Sequence, residues 1–519
     1  VLDQLGVRAG DHVGVMMDNH PDYLACLGAI SRLGAVGVLL NPGVRGDVLE
    51  HALNAGQVTR LIVSENHFEG AASCMDKEHL IVTGSGPLEG EVKRLDDLVR
   101  TASEVLAPHV SANPGKPGDL ALLMFTSGTT GLPKAARISN RRWFMAATAS
   151  AAAAGLNPDD TVYCMLPLYH ATGLLLGAGG ALVSGCRLAL GAKFSVSRFW
   201  DDVHRTGATV VFYVGELCRY LVSAPQVSNE RNHSIRLFIG NGLRADVWSQ
   251  LRHRYGRVRI CEFYGSTEGN VVLANLTGQK IGSVGRVPLG LQQVELVKYH
   301  VDEDRYVRDI NGFMVPCEDN EPGMLISQIL AGNPFSHFDG YTDAEATERK
   351  VLRDVFEPGD CWFASGDMLR RDTDGDFWFE DRVGDTYRYK GENVSTEEVS
   401  RVISRAACIG LATVYGVKLD DHEGRVGTAA VEVAPGQAFE PKEIFDLVES
   451  GLAPAARPRF IRVVEALETT ASFKVIKHQL QKEGINPKEI QDSLYWYDSK
   501  LRTYSPLGPK EFVTLADKI

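Results

Sequence analysis

Short continuous apolar runs separated by polar, helix-length segments dominate the first third of the chain. His12-Val13-Gly14-Val15-Met16-Met17, Ala35-Val36-Gly37-Val38-Leu39-Leu40 and Leu61-Ile62-Val63 read as buried strands, with helices at 21–33 and 47–55 between them. Strand–helix–strand units at this spacing predict a parallel sheet covered by helices on both faces. The alternation returns after residue 160, with strands at 161–165, 187–190, 210–213, 234–240 and 260–264 and helices at 146–154, 171–183 and 197–205. From Val284 the texture changes to short strands and Gly/Asn/Asp turns, which suggests a β-rich subdomain, and Asp374-Gly375-Asp376 is a hairpin signal. A second shift follows Asp381-Arg382-Val383-Gly384-Asp385: a helix at 396–403 capped near Ser395, strands at 412–417 and 426–433, and a helix at 442–452. The expected fold class is α/β: a large N-terminal domain of layered α/β sheets with a β-rich subdomain (1–382), plus a small α+β C-terminal domain (383–519).

Size and charge narrow the functional classes. A chain of 519 residues exceeds what one hydrophobic core serves, so more than one domain is expected. The net charge of −12 argues against nucleic acid as a partner, and an anionic substrate would need a local positive site. Nine scattered cysteines, without a Cys-x-x-Cys pair or zinc spacing, read as reduced thiols in a cytoplasmic compartment. Residues 161–186 contain no Asp, Glu, Lys or Arg, but Pro167, His170 and several glycines argue against a spanning helix. A buried strand–loop–helix is expected there, with a shallow membrane contact as the alternative. The opening Leu5-Gly6-Val7-Arg8-Ala9-Gly10-Asp11 reads like the middle of a domain, so further chain is expected upstream of Val1.

Three polar turns carry candidate chemistry. Phe125-Thr126-Ser127-Gly128-Thr129-Thr130-Gly131-Leu132-Pro133-Lys134 packs hydroxyls, glycines and a lysine directly after the apolar run Leu120-Ala121-Leu122-Leu123-Met124. Exposed N–H groups, hydroxyls and an ammonium suit a polyphosphate. Pro133-Lys134 stands where the common nucleotide-triphosphatase loop requires Gly-Lys-Ser/Thr. At Phe263-Tyr264-Gly265-Ser266-Thr267-Glu268-Gly269 a strand ends in a turn offering an aromatic ring for a base, a hydroxyl for a phosphate and a carboxylate for Mg2+. Trp362-Phe363-Ala364-Ser365-Gly366-Asp367 ends in an acid that can accept ribose hydroxyls. Taken alone, the second and third of these are ordinary turns, whereas the density of hydroxyls with the lysine marks the first by itself.

In this order and spacing, with Asp381-Arg382 and a late Phe473-Lys474, the segments resemble the adenylate-forming superfamily of acyl-CoA synthetases, luciferases and adenylation domains. A narrower resemblance, to the fatty acid transport protein / very-long-chain acyl-CoA synthetase family, is carried by the run from Asp381 to Thr396, by Leu166-Pro167-Leu168-Tyr169-His170, by Phe194-Ser195-Val196-Ser197-Arg198-Phe199-Trp200, by Tyr213-Val214-Gly215-Glu216-Leu217-Cys218 and by Arg502-Thr503-Tyr504-Ser505-Pro506-Leu507. The resemblance implies a long- or very-long-chain fatty acid–CoA ligase using ATP, Mg2+ and coenzyme A. It assigns Thr126, Ser127, Gly128, Thr129, Thr130, Gly131 and Lys134 to the β- and γ-phosphates, Thr267 to the α-phosphate and Glu268 to Mg2+. Tyr264, with Gly265 and Ser266 after it, meets the adenine, and Gly240, Asn241, Gly242 and Leu243 line the base. Asp367 and Arg382 take the ribose. Lys474, on its own a surface lysine, reaches the carboxylate and α-phosphate oxygens. Lys390, Gly391 and Glu392 lie along the pantetheine tunnel. His170 is either the gate to the acyl pocket or a core histidine. A mobile C-terminal domain hinged near Gly384 alternates between the two half-reactions, and peripheral membrane association is a further expectation. The alternatives are a fatty acyl-AMP ligase that loads a carrier protein and a lipid uptake or binding protein with reduced catalysis.

Overall fold

In the computed structural model the chain is described except at 89–90, 104, 106–114, 127–131, 257, 289–291, 302, 331, 390–391, 420–424, 471–474 and 517–519; for Arg388, Glu392, Asn393 and 513–516 only the backbone is described. Two compact units emerge. The first comprises Val1–Gln293, Ser327–Arg353 and Cys361–Phe363, and the second Val294–Ile326, Asp354–Asp360 and Ala364–Ile519.

The first unit holds two sheets. One contains β1 (His12–Met16), β2 (Val36–Leu39), β3 (Arg60–Ser64), β4 (Leu80–Thr83), β5 (Lys93–Arg94), β6 (Leu120–Thr126) and β7 (Lys134–Ser139), in the order β5-β4-β3-β1-β2-β6-β7. Every pairing is parallel except β6 with β7. Strands β2 and β4 are buried at every position, as befits a parallel sheet covered on both faces. The second contains β8 (Thr161–Cys164), β9 (Arg187–Leu190), β10 (Val210–Val214), β11 (Leu237–Asn241), β12 (Arg259–Gly265) and β13 (Val272–Asn275), ordered β13-β12-β11-β10-β8-β9. Only β12 and β13 pair antiparallel in it.

The uncharged segment 161–186 is the expected buried strand, loop and helix, with one departure. Thr172–Ala178 is a π-helix, continued by an α-helix at Gly179–Ser184. The run is apolar on all sides, so periodicity could not distinguish the wider turn from an α-helix. Glycine is required inside it: a Cβ on Gly173 would lie 2.2 Å from the carbonyl oxygen of Pro167. Among the described residues no helix is long and apolar enough to cross a membrane.

In the second unit Phe377–Arg382 pairs antiparallel with the end of Cys361–Arg371 around the anticipated Asp374-Gly375 turn. A five-stranded sheet of Ile409–Val417, Val426–Val433, Phe460–Val464, Ser493–Asp498 and Thr503–Pro506 packs against the helices Thr396–Ile403 and Pro441–Gly451. Ser395 caps the first of these helices, its side chain accepting from the N–H of Glu398. Tyr387 is lodged among glycines of that sheet: a Cβ on Gly427 would lie 2.0 Å from its hydroxyl and one on Gly416 2.6 Å from its own Cβ.

Candidate active site

Thr126 and Lys134 face each other across the mouth of the β6–β7 hairpin, where they are register partners. Both are half-buried. Ser127, Gly128, Thr129, Thr130 and Gly131, which join them, lie outside the described residues. The lysine opens β7, a strand for which the sequence pattern predicts no element, because Lys134-Ala135-Ala136-Arg137-Ile138-Ser139 lacks a clear period. His51 contacts the carbonyl of Pro133 through Nε2 at 3.0 Å, which ties this end of the hairpin to the Gly46–Ala55 helix.

The Tyr264 turn is built at the carboxyl end of the second sheet, the end at which parallel sheets bind ligands. Tyr264 is buried in β12, and the chain turns out through the exposed Gly265 to the half-buried Ser266, Thr267 and Glu268. The turn is closed by the N–H of Gly269 donating to Ser266 Oγ at 3.0 Å. Arg142 braces it from outside. Its Nη2 donates to the carbonyl oxygens of Ser266, Thr267 and Gly269 at 3.1, 2.6 and 2.5 Å. Burial pulls the pKa of this guanidinium down, while the nearby Asp339 and Glu268 carboxylates push it up. An arginine stays charged under such a shift.

Tyr341 connects the two turns. Its hydroxyl lies close enough to the carboxylate of Glu268 and to the side chain of Thr126 for both to act on it, and burial together with Glu268 raises its pKa. Its position is fixed by a backbone bridge to Ala136 and by its N–H, which donates to Thr347 Oγ1 at 2.9 Å. The Thr126 hydroxyl and the Glu268 carboxylate therefore both neighbour one phenol. Glu268 offers oxygen ligands from a partly open position, the donor chemistry that suits Mg2+.

Gly240, Asn241, Gly242 and Leu243 form the end of β11 and the turn after it, beside β12. The Oδ1 of Asn241 is buried without a partner among the described residues. An unpaired buried acceptor is costly, and a nucleotide base can supply the donor it lacks. His170 is half-buried directly before the π-helix, its ring 4.6 Å from that of Tyr169. The loop that presents it is pinned by Asn19, whose side chain donates to the carbonyls of Leu166 and Gly191 at 2.9 and 3.0 Å and accepts from the N–H of Leu168 at 2.9 Å.

In the second unit Asp367 and Arg382 are register partners, with Arg382 Nε 3.5 Å from Asp367 Oδ1. Beside Arg382, Asp381 accepts from the N–H of Thr396 at 2.5 Å, and Lys477 bonds Asp385 at 3.1 Å and Thr396 Oγ1 at 2.9 Å. Burial raises the pKa of Asp381 to about 6, against the field of Lys477. Glu392 begins the strand Glu392–Val394, opposite Tyr389. Lys390, Gly391 and Lys474 lie outside the described residues.

The AMP-binding enzyme family model matches residues 1–326, and the AMP-binding enzyme C-terminal domain model matches residues 398–474. The chain belongs to the AMP-binding enzyme family. This AMP-binding enzyme is 38% identical to long-chain fatty acid transport protein 2 of Rattus norvegicus, over 99% of this chain and 84% of the relative. It is likewise 38% identical to long-chain fatty acid transport protein 1 of Homo sapiens, over 97% of this chain and 79% of that protein. Among solved structures, ATP-bound MatB from Rhodopseudomonas palustris matches with a TM-score of 0.78 at 24% identity, covering 93% of this chain and 90% of that one. The o-succinylbenzoate coenzyme A synthetase MenE of Bacillus subtilis, in complex with ATP and magnesium ion, matches with a TM-score of 0.74 at 23% identity, covering 92% and 91%. Both likenesses bear out the α/β fold class expected from the sequence.

Sequence reading missed Arg142, Tyr341 and Asn19. Arg142 follows Asn140-Arg141 at the start of a helix and looks like a surface cation. Tyr341 stands in a Gly-Tyr-Thr-Asp turn far along the chain from both of its partners. No local pattern marks any of the three, since each acts on residues distant in the sequence.

Proposed function

We propose that this protein is an AMP-forming fatty acid–CoA ligase acting on long- or very-long-chain acids. A carboxylate oxygen of the acid attacks the α-phosphorus of ATP, the bond to the β-phosphate breaks and pyrophosphate leaves. The thiol of coenzyme A then attacks the acyl carbon, loses its proton and displaces AMP. The observation that carries the reading is the 38% identity with a long-chain fatty acid transport protein over 99% of the chain, coupled to the nearness of Thr126 and Glu268 to the Tyr341 hydroxyl. When bound at Glu268, Mg2+ would neutralise phosphate charge.

The protein's own groups supply the rest. Crowded phosphate charge needs donors fixed in place before the reaction begins. Thr126 and Lys134, with the intervening hydroxyls and N–H groups, would cradle the β- and γ-phosphates. Thr267 would bond the α-phosphate, and the Arg142 brace keeps it from drifting. Tyr264 and residues 240–243 would hold the base, Asp367 and Arg382 the ribose, and Lys474 the reacting oxygens. His170 would gate the acyl pocket, Lys390, Gly391 and Glu392 would line the thiol's path, and Gly384 would be the pivot between half-reactions, which puts the functional domain boundary at 382/383. Peripheral membrane contact belongs to the same reading and draws support from the exposed Phe144, Leu182 and Val183 on two packed helices; liposome flotation tests it.

The deciding experiment incubates the protein with ATP, Mg2+, coenzyme A and palmitate or a longer acid. Acid-dependent ATP–pyrophosphate exchange, AMP release and acyl-CoA are expected. Exchange with thioester formed only on a carrier protein would favour the carrier-loading ligase, and no exchange would favour a lipid-binding role. A Lys474→Ala variant should lose adenylation, and full retention would contradict that residue's assignment.

A further inference from the structure

One buried acid has no part in the chemistry above, although it sits directly behind the base-lining turn. Glu262 lies in β12, two residues before Tyr264, and is 2% exposed. Its Oε1 accepts from the N–H of Leu243 at 2.9 Å, the N–H of Gly242 lies near enough to favour the charged carboxylate, and Oε2 accepts from the hydroxyl of Tyr213. Tyr213 is fully buried near the end of β10. One carboxyl thus links three adjacent parallel strands to the turn that leaves the middle one.

The turn has no slack. A Cβ on Gly215 would lie 1.8 Å from the carbonyl oxygen of Gly242, and one on Gly240 would lie 2.1 Å from that of Tyr213. Gly242 itself sits at φ +79°, in the left-handed region. Among the described residues no cation contributes to the surroundings of the acid: its donors are neutral, and the Cys218 and Cys261 thiols are the other titratable groups that feel its charge. Burying an acid without a cation is unfavourable for stability, whereas it fixes geometry. In the same turn the buried Oδ1 of Asn241 lacks a donor among the described residues. A 6-aminopurine supplies a donor there, and a 6-oxopurine supplies a second acceptor.

We propose that Glu262, together with Tyr213, is a positioning residue that holds residues 240–243 in the geometry that selects adenine over a 6-oxopurine. The inference rests on the proposed reading of that turn as the wall of the base site. Outer-shell groups of this kind typically change affinity or activity by roughly 10–100-fold when removed.

The test compares wild type with Glu262→Ala, Glu262→Gln and Tyr213→Phe in the full chain. It uses fatty-acid-dependent pyrophosphate exchange with ATP and with ITP, and calorimetric binding of both nucleotides without acid. For Glu262→Ala, a rise in KM for ATP of about tenfold or more is expected, with a smaller ATP/ITP preference and an unchanged KM for the acid. Glu262→Gln keeps an acceptor for the two N–H groups and should recover most of the preference. Tyr213→Phe should fall between Glu262→Gln and Glu262→Ala, and it carries the test if the alanine variant does not fold. Unchanged ATP/ITP preference in the folded variants, or equal losses towards acid and nucleotide, would overturn the proposal. Absence of exchange in wild type would instead count against the ligase reading, and the calorimetric ratio would still decide the role of Glu262.

Discussion

At the residue scale, Tyr341 is the most informative side chain. Replacing it with Phe removes the hydroxyl that neighbours Thr126 and Glu268 and leaves the ring in place. Adenylation should persist, while the Mg2+ concentration giving half-maximal pyrophosphate exchange should rise by roughly tenfold; a magnesium titration at saturating ATP measures it. Glu262 makes a separate prediction about pH. Burial raises its pKa from the usual carboxylate value to about 8, so the native state holds a proton that the unfolded chain releases at lower pH. Its contribution to stability is therefore greatest below the unfolded-state value near 4.5 and is lost as pH rises through 8. Denaturant melts should show wild type losing stability relative to Glu262→Gln between those limits, by up to about 1.4 kcal/mol for each pH unit. The turn residues Thr267 and Glu268 were legible because hydroxyl, acid and glycine crowd together. Their supports, Arg142 and Tyr341, were not, because an isolated arginine or tyrosine carries no sign of what it will touch across the fold.

At the element scale, legibility followed burial. Strands of mostly apolar residues, such as Val210–Val214 and Val426–Val433, were readable almost to the residue. Lys134–Ser139 was not, since its ladder with β6 rather than its own composition makes it a strand. The strand anticipated at 234–240 begins later, at Leu237, because the side chain of Ser234 bonds the carbonyl of Ala208 and that of His233 bonds the N–H of Ile235. The π-helix is where pattern fails, and it yields a prediction. Gly173→Ala would drive a methyl into the Pro167 carbonyl, at a cost of about 1–3 kcal/mol. The loop bearing His170 would be displaced with it, so thermal melting should fall and KM for the acid should rise more than KM for ATP.

At the scale of the whole molecule, the compact units interleave along the chain, whereas composition suggested a single cut near Asp381–Asp385. These describe different properties: one groups residues by packing, the other marks where the chain is proposed to turn. Gly384 allows a test of the latter. Its backbone is outside the left-handed region and a Cβ there would meet nothing within 4 Å, so neither packing nor conformation demands glycine in this state. Gly384→Ala should therefore gain about 0.4–1 kcal/mol by restricting the unfolded chain. If the glycine serves a second conformation, thioester formation should slow while pyrophosphate exchange is preserved, and single-turnover kinetics with preformed acyl-adenylate separate the two.

The seating of Tyr387 among Gly416 and Gly427 bears on how any such swing is transmitted. Three residues past the proposed pivot, the chain is already keyed into the small sheet like a spline in its groove. A twist applied at Gly384 has almost no tether in which to dissipate and must turn that sheet as one piece. Widening the groove's neighbours or filling the slot would act as backlash in a gear, leaving each part intact while the motion between them loses its timing.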